Sequence, residues 1–229
     1  MPQLLLVEDD AVLAETLSRA LRGLGHEIGV AASGEQALEA LFERRTPTDL
    51  VLLDVMLPGI DGFEVCRRIR ARHTVPVILL TARGDSIDIV VGLEGGADDY
   101  VVKPAEPRVL DARVKTILRR VTPTQRPGRT LHTIGELEID RAAMVVTRNG
   151  AEMSLTSTDL RLLLEFADHP GQVLTRPALL SRVWDYGYSA DSRLVDAAVG
   201  RLRAKIETDP GNPTLLRTVR GLGYRLVAP

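Results

Sequence analysis

Five large apolar side chains surround a single carboxylate in Leu50-Val51-Leu52-Leu53-Asp54-Val55, and Pro58-Gly59 then stops the run. So short and unbroken a run fits a strand buried on both faces, as in a parallel sheet flanked by helices. Asp54 is thereby placed at the carboxyl end of a central strand, the edge where open α/β sheets bind their ligands. Leu4 to Val7 repeats the pattern and ends in Glu8-Asp9-Asp10. Val75 to Leu80 ends in Thr81, and Tyr100 to Val102 ends in Lys103-Pro104. Glu27 to Ala31 reads as a further strand.

Between these strands the apolar period changes from two to nearly four. Leu13, Leu17, Ala20, Leu21 and Leu24 recur at helical spacing and Gly25 closes that helix. Ser33 caps a helix with Ala37, Leu38 and Leu41 inward, and Phe63, Val65, Cys66 and Ile69 mark another. A weaker pattern covers about 85–94, and a last helix runs from about 107 to 120. Strands alternating with helices predict a doubly wound α/β fold, a five-stranded parallel sheet of flavodoxin-like type over residues 1–120.

Chemistry narrows the reading. Four of the five strands end in a polar group, and in a parallel sheet those ends share one edge. Carboxylates of Glu8, Asp9 and Asp54 so close together repel unless something neutralises them. A divalent cation does this, and hard oxygen ligands favour Mg²⁺. Such an ion would also bridge a phosphate, with Thr81 and Lys103 on the other phosphoryl oxygens and Asp54 as the nucleophile that forms an acyl phosphate. Only three lysines stand among 29 basic residues, so Lys103 at this edge is a specific choice.

The rest of the composition sets limits. The formal net charge of -2 points to no partner class, and the single cysteine, Cys66, excludes an intrachain disulfide and fits a reducing compartment. No signal peptide is evident and no apolar run approaches the ~20 residues of a membrane span. A cytoplasmic protein without a membrane association is the expectation.

The set Val7-Glu8-Asp9-Asp10, Asp54-Val-Met-Leu-Pro-Gly, Leu-Thr81-Ala-Arg83 and Asp98-Asp99-Tyr100-Val-Val-Lys103-Pro resembles the receiver domain of two-component response regulators. The resemblance implies that Asp54 accepts phosphate from a sensor histidine kinase. It implies that Glu8, Asp9, Asp54 and the Met56 carbonyl surround Mg²⁺, and that Thr81 and Tyr100 move inward on phosphorylation. Met56 and Arg83 would flank the path of the hydrolytic water and lengthen the life of the acyl phosphate. Two departures stand out. Ala105 follows Lys-Pro where the family usually has Phe, and Ile89 and Val109 replace a basic and an acidic residue that pair across the family's dimer face. An apolar contact at 89 and 109 is implied instead, with Asp98, Asp99, Arg113 and Arg119 left for the other bridges.

Val121 to Thr130 carries two prolines, a glycine and no acid, and reads as an exposed linker over 121–130. Beyond it, Leu137–Ile139 and Ala143–Thr147 read as short strands, with a tight turn at Arg148-Asn149-Gly150. Thr156 and Asp159 form a capping-box pattern ahead of a helix, and Thr175 caps the next. Over 192–207, Val195, Val199, Leu202 and Ile206 make one apolar stripe. Arg193, Ala197, Gly200 and Ala204 lie opposite, flanked by Arg201 and Arg203. Small residues edged by arginines suit a major groove. A hairpin with Arg217, Arg220 and Arg225 follows. Residues 131–229 hold 12 basic and 12 acidic groups, so the placement of the arginines matters rather than their number.

Arg193-Leu-Val-Asp196, Arg201-Leu-Arg203-Ala-Lys205 and Arg217-Thr-Val-Arg220-Gly-Leu-Gly-Tyr224 resemble the α+β winged helix-turn-helix effector of the OmpR/PhoB family, here over 131–229. Ala198 stands where that family often has His. The resemblance implies Arg193, Ala197 and Arg201 nearest the bases, and Arg203, Lys205 and Arg220 at phosphates or in wing contacts. The implied whole is a transcription regulator that dimerises on phosphorylation, binds two half-sites on double-stranded DNA and, through the loop with Tyr186 and Tyr188, meets RNA polymerase. An aspartyl-phosphate phosphatase is the rival enzyme reading. Its general acid would stand two residues after the nucleophile, where this chain has Met56, so a non-enzyme is expected. A third reading keeps the receiver as a dimerisation platform that needs no phosphate.

Overall fold

The protein is described by a computed structural model that defines the backbone of residues 1–82, 92–93, 95–121, 131–184 and 192–227, and the side chains of all of these except 119–121 and 131. It divides into two compact units, Met1–Leu118 and Arg119–Pro229.

In the first unit, β1 (Gln3–Val7), β2 (Glu27–Ala31), β3 (Leu50–Asp54), β4 (Val77–Thr81) and β5 (Asp99–Val102) form one sheet in the order β2-β1-β3-β4-β5. Every neighbouring pair is parallel. All five residues of β3 and of β4 are buried, the pattern that their unbroken apolar runs require. Leu4, Leu6, Leu50, Leu52, Ile78 and Leu80 form one core cluster with Ala14, Leu17 and Leu21 of α1 (Ala11–Gly23) and Leu110, Val114 and Ile117 of α4 (Pro107–Val121). Alternate residues such as Leu5, Val51, Leu53 and Val77 point to the other face and are also buried. Each fully buried Leu stabilises the unit by roughly 2 kcal/mol, so the sheet centre holds the fold and its polar edge is left for chemistry.

Local signals set the helix ends. Asp10 accepts hydrogen bonds from the Val12 and Leu13 amides (2.9 and 3.0 Å) and so caps α1. Ser33 caps α2 (Gly34–Phe42) and Asp61 caps α3 (Gly62–Arg70). The expected helix over 85–94 lies outside the described residues, apart from Gly92 and Leu93, which are helical. Residues 122–130 of the expected linker lie outside them too.

The second unit opens with an antiparallel sheet of β6 (Leu131–Ile134), β7 (Leu137–Asp140), β8 (Val145–Arg148) and β9 (Ala151–Glu152). The β8–β9 turn has Asn149 and Gly150 at positive φ (52° and 78°), as a two-residue hairpin of this twist needs. Among the described residues three helices follow: α5 (Ser157–Asp168), α6 (Arg176–Trp184) and α7 (Arg193–Ile206). The expected capping box is present, with Thr156 and Asp159 bonding each other's amide at 3.2 Å. A hairpin of β11 (Leu216–Val219) and β12 (Gly223–Leu226) pairs with β10 (Val173–Thr175), a short strand that periodicity did not reveal. A Cβ on Gly223 would overlap the Leu174 carbonyl, so glycine is what lets β12 approach β10.

Candidate functional site

At the carboxyl edge of the first sheet, β1, β3 and the segment after β5 bring four charged groups together. Carboxylate oxygens of Glu8, Asp9 and Asp54 lie within 4.8 Å of one another. The Lys103 Nζ donates to Glu8 (2.7 Å) and reaches Asp54 Oδ2 at 2.9 Å. Glu8 and Asp54 are 2% and 3% exposed, whereas Asp9 faces solvent. Burial pushes the Glu8 carboxyl above its ordinary range; the Lys103 hydrogen bond opposes this and the Asp54 charge adds to it. Burial works to lower Lys103, but its bonds to Glu8 and Asp54 outweigh that and raise it, so the ammonium stays charged.

One ammonium facing three carboxylates leaves surplus negative charge in a poorly solvated place. Asp54 Oδ1, moreover, is buried without a hydrogen-bond partner. An all-oxygen set with an orphaned carboxylate oxygen fits a hard divalent cation, held by Glu8, Asp9 and Asp54. Thr81 ends β4, 7% exposed, its hydroxyl donating to the Ala82 carbonyl at 3.3 Å. Tyr100 lies in β5 and is half-buried. Met56 stands 70% exposed just past Asp54. Arg83 lies outside the described residues.

The strand end is held by backbone. The Gly62 amide donates to the Val55 carbonyl at 3.0 Å, and a Cβ there would overlap the Asp54 carbonyl oxygen. Gly62→Ala is therefore expected to displace Asp54, lowering stability by about 1–3 kcal/mol as overpacking does. Urea denaturation reports it; an unchanged midpoint would show that the strand end tolerates the added methyl.

The expected dimer-face residues divide. Val109 is 42% exposed. Asp98 and Asp99 do not reach that surface: at 1% and 0% exposure they are held inside their own unit. Asp98 takes the Arg70 guanidinium (2.8 Å) and the Val77 amide (3.0 Å), and Asp99 takes Arg113 (3.0 Å). Within the unit both acids thus have arginine partners, because a buried carboxylate must be paired where it lies. Arg113 is engaged by Asp99 for the same reason. Ile89 and the Arg119 side chain lie outside the described residues.

On α7 the buried arc is wider than four residues. Leu194, Val195, Ala198, Val199, Leu202 and Ile206 are inside, as is Ala197 (8% exposed), which corrects its placement on the open face. Arg201 is also largely buried. Its side chain is 11% exposed and lies 3.6 Å from Asp159 of α5, with Lys205 2.7 Å from the same carboxylate. The physical reason is that one flank of α7 packs on α5, where a buried acid needs cations. Burial works to raise the Asp159 carboxyl, yet the charges of Arg201 and Lys205 hold it below the usual range. On the other flank, Arg203 donates to the Leu216 carbonyl (2.8 Å) and the Thr218 hydroxyl (2.9 Å) and stacks on Tyr224. Lys205 and Arg203 thus both help to anchor α7 within the unit.

What stays open on α7 is Asp196, Gly200 and Ala204, with Arg193 half-buried beside them. Asp196 is itself engaged, accepting from Arg176 and from the Tyr224 hydroxyl, both at 2.7 Å. Arg217 and Arg220 are exposed on the β11–β12 hairpin, whose tip turns at Gly221 (φ 73°). Tyr186 and Tyr188 lie outside the described residues.

Glu207, just past α7, ties that helix to the hairpin. Its carboxylate accepts from the Thr214, Leu215 and Leu216 amides at 2.7–3.2 Å. Burial works to raise its pKa, but these donors outweigh it and hold it below the ordinary range. The stability it contributes is therefore present above its unfolded pKa of about 4.3 and lost as pH falls through the lower folded value. Glu207→Gln is expected to lower the stability of the second unit by roughly 1–3 kcal/mol at pH 7. The gap from wild type should narrow in acid, which urea titrations at neutral pH and below pH 4 would read.

Known proteins share both units. Residues 4–115 match the family described as "Response regulator receiver domain", and residues 150–226 match "Transcriptional regulatory protein, C terminal". The chain is 58% identical over its whole length, and the whole of the relative's, to "Transcriptional regulatory protein AfsQ1" of Streptomyces coelicolor. It is 51% identical to "DNA-binding response regulator MtrA" of Mycobacterium tuberculosis, covering 99% of this chain and 97% of that one. Among solved structures it is similar to the response regulator DrrB, described as a Thermotoga maritima OmpR/PhoB homologue, at 35% identity, 99% coverage of each chain and a TM-score of 0.51.

Proposed function

Because this chain belongs to the OmpR/PhoB-type response regulators, we propose that Asp54 is its phosphoacceptor and that the acidic edge around it is the switch. The chain is a phosphorylation-dependent, DNA-binding regulator of transcription. We take residues 1–120 as the receiver, 121–130 as the linker and 131–229 as the effector. The observation that carries the assignment is the meeting of Glu8, Asp9 and Asp54 within 4.8 Å, with Lys103 bonded to two of them.

In this reading a sensor histidine kinase presents a phosphohistidine. The unpartnered Asp54 Oδ1 attacks phosphorus, the phosphorus–nitrogen bond breaks, and the imidazole leaves with its electron pair. Glu8, Asp9 and Asp54, with the Met56 carbonyl, would hold Mg²⁺, which would supply positive charge to the phosphoryl oxygens. Lys103 loses the charge of one carboxylate partner when Asp54 becomes an acyl phosphate and turns to a phosphoryl oxygen, while the Thr81 hydroxyl gives up the Ala82 carbonyl for another. Displacement of Thr81 opens room beside β4 and β5 for Tyr100. The output is a homodimer in which Val109 contributes apolar surface, and two effectors reach adjacent half-sites with the gain of intramolecular binding.

On DNA, the open arc of α7 fits the major groove through Arg193, Gly200 and Ala204. Gly200 has open space around it, so its missing side chain serves approach by another molecule and not packing in the fold. Arg217 and Arg220 reach phosphates or the minor groove from the hairpin. Contact with RNA polymerase and action in the cytoplasm complete the proposal.

Incubation with acetyl phosphate and Mg²⁺, followed by borohydride reduction and peptide mapping, tests the acceptor. Reductive conversion at Asp54 alone is expected; conversion at Asp9 instead, or none, would refute the assignment.

A further inference from the structure

At the opposite edge of the receiver sheet, the chain before β3 and the chain after α3 line an open pocket of about 400 Å³, with Arg45, Arg72 and His73 exposed. Its lining includes Phe42, Arg45, Thr46, Thr48, Arg72 and His73, and no acidic residue. That volume lies within the range of small-molecule sites. The pocket sits at the amino ends of β3 and β4, a full strand length from Asp54, so it does not rest on the phosphoacceptor reading.

Its polar groups are donors in search of an acceptor. Among the described residues no carboxylate pairs with Arg45 or Arg72, whereas the neighbouring Arg44 is held by Glu39 at 2.8 Å. Arg72 is fixed by stacking on Phe42, 4.4 Å from the ring centroid. That contact leaves the guanidinium's edge and its N–H groups available. The Nδ1 of His73 accepts from the Val75 amide at 3.0 Å, so Nε2 carries the ring proton and is itself a donor. Arg45 holds φ at 49°, a left-handed conformation unusual for arginine. The backbone on either side is pinned, since the Arg44 amide bonds the Glu39 carbonyl (3.0 Å) and the Thr46 amide bonds the Ala40 carbonyl (2.9 Å).

We propose that this pocket binds a small oxyanion with two acidic groups, a phosphate ester or a dicarboxylate. Two guanidinium groups, one braced against an aromatic ring, and an imidazole N–H supply charged and directional donors, and no lining acid competes for them. A phosphorylated compound and a carboxylic diacid present the same oxygen chemistry, and the probe separates them.

Calorimetry on the full chain in metal-free buffer, with inorganic pyrophosphate and separately with succinate, tests the site. Saturable binding of at least one is expected, and the tighter probe names the class. Arg45→Gly and Arg72→Gln should each weaken it by about tenfold or more. Glycine suits a φ of 49°, so Arg45→Gly removes the charge without backbone strain. Arg19→Ala, on the exposed face of α1 and away from the pocket, should change nothing. No saturable binding of either probe, or affinity unchanged in either pocket variant, would overturn the proposal.

Discussion

Lys103→Met is expected to destabilise the receiver unit by about 3 kcal/mol at neutral pH, the low end of what breaking a buried ion pair costs, because the Lys103 side chain keeps 20% exposure. Glu8 and Asp54 would then face each other without a cation, at 2% and 4% side-chain exposure. Methionine fills a similar volume, so the loss is electrostatic rather than a cavity. Millimolar Mg²⁺ should recover much of the deficit, since a ligand that binds only the folded state stabilises it by mass action. Wild type should respond less, having its own counter-ion in place. Thermal unfolding of both proteins with Mg²⁺ and with EDTA checks this. A variant as stable as wild type, or one indifferent to Mg²⁺, would mean that the three carboxylates neither repel strongly nor hold a metal.

Asp159→Ala carries a comparable expectation in the effector. Asp159 is fully buried and serves twice, as capping-box partner of Thr156 and as the acid beside Arg201 and Lys205. Removing it leaves a largely buried guanidinium without that partner and frees a helix end, an expected loss of roughly 3–5 kcal/mol. Lys205 keeps more exposure and can turn to water, so most of the cost falls on Arg201. Unfolding of the second unit should shift and that of the first should not. DNA affinity should fall as well, because α7 loses its anchor to α5. A shift equivalent to less than about 1 kcal/mol would make the cluster a solvated pair of ordinary value.

Much of this is legible in the amino-acid sequence. Buried parallel strands announce themselves by unbroken apolar runs, and the polar residue ending each run marks one shared edge; Glu8, Asp54, Thr81 and Lys103 were found this way. Capping at Ser33, Thr156 and Thr175 was readable because the signal is local. Tertiary pairing was not. Asp159 was visible as a cap, but nothing in its neighbourhood shows that α7 would send Arg201 and Lys205 to it across 42 and 46 residues. The pairing of Asp98 and Asp99 with Arg70 and Arg113, 28 and 14 residues away, is hidden for the same reason. Ala197 was misplaced because an apolar stripe gives the centre of a buried face and not its width. Glu207, which receives three amides from the chain leading into β11, carried no sequence signal at all.

The central claim is that phosphate on Asp54 governs the grip on DNA. It is tested most directly by measuring affinity for sites selected from a random DNA library, with and without acetyl phosphate and Mg²⁺, for wild type and Asp54→Ala. Phosphorylation should tighten wild-type binding by about tenfold or more, within the usual range of coupling between two sites, and leave the variant unmoved. Equal affinity in all four conditions would contradict it and make the receiver a platform that needs no phosphate.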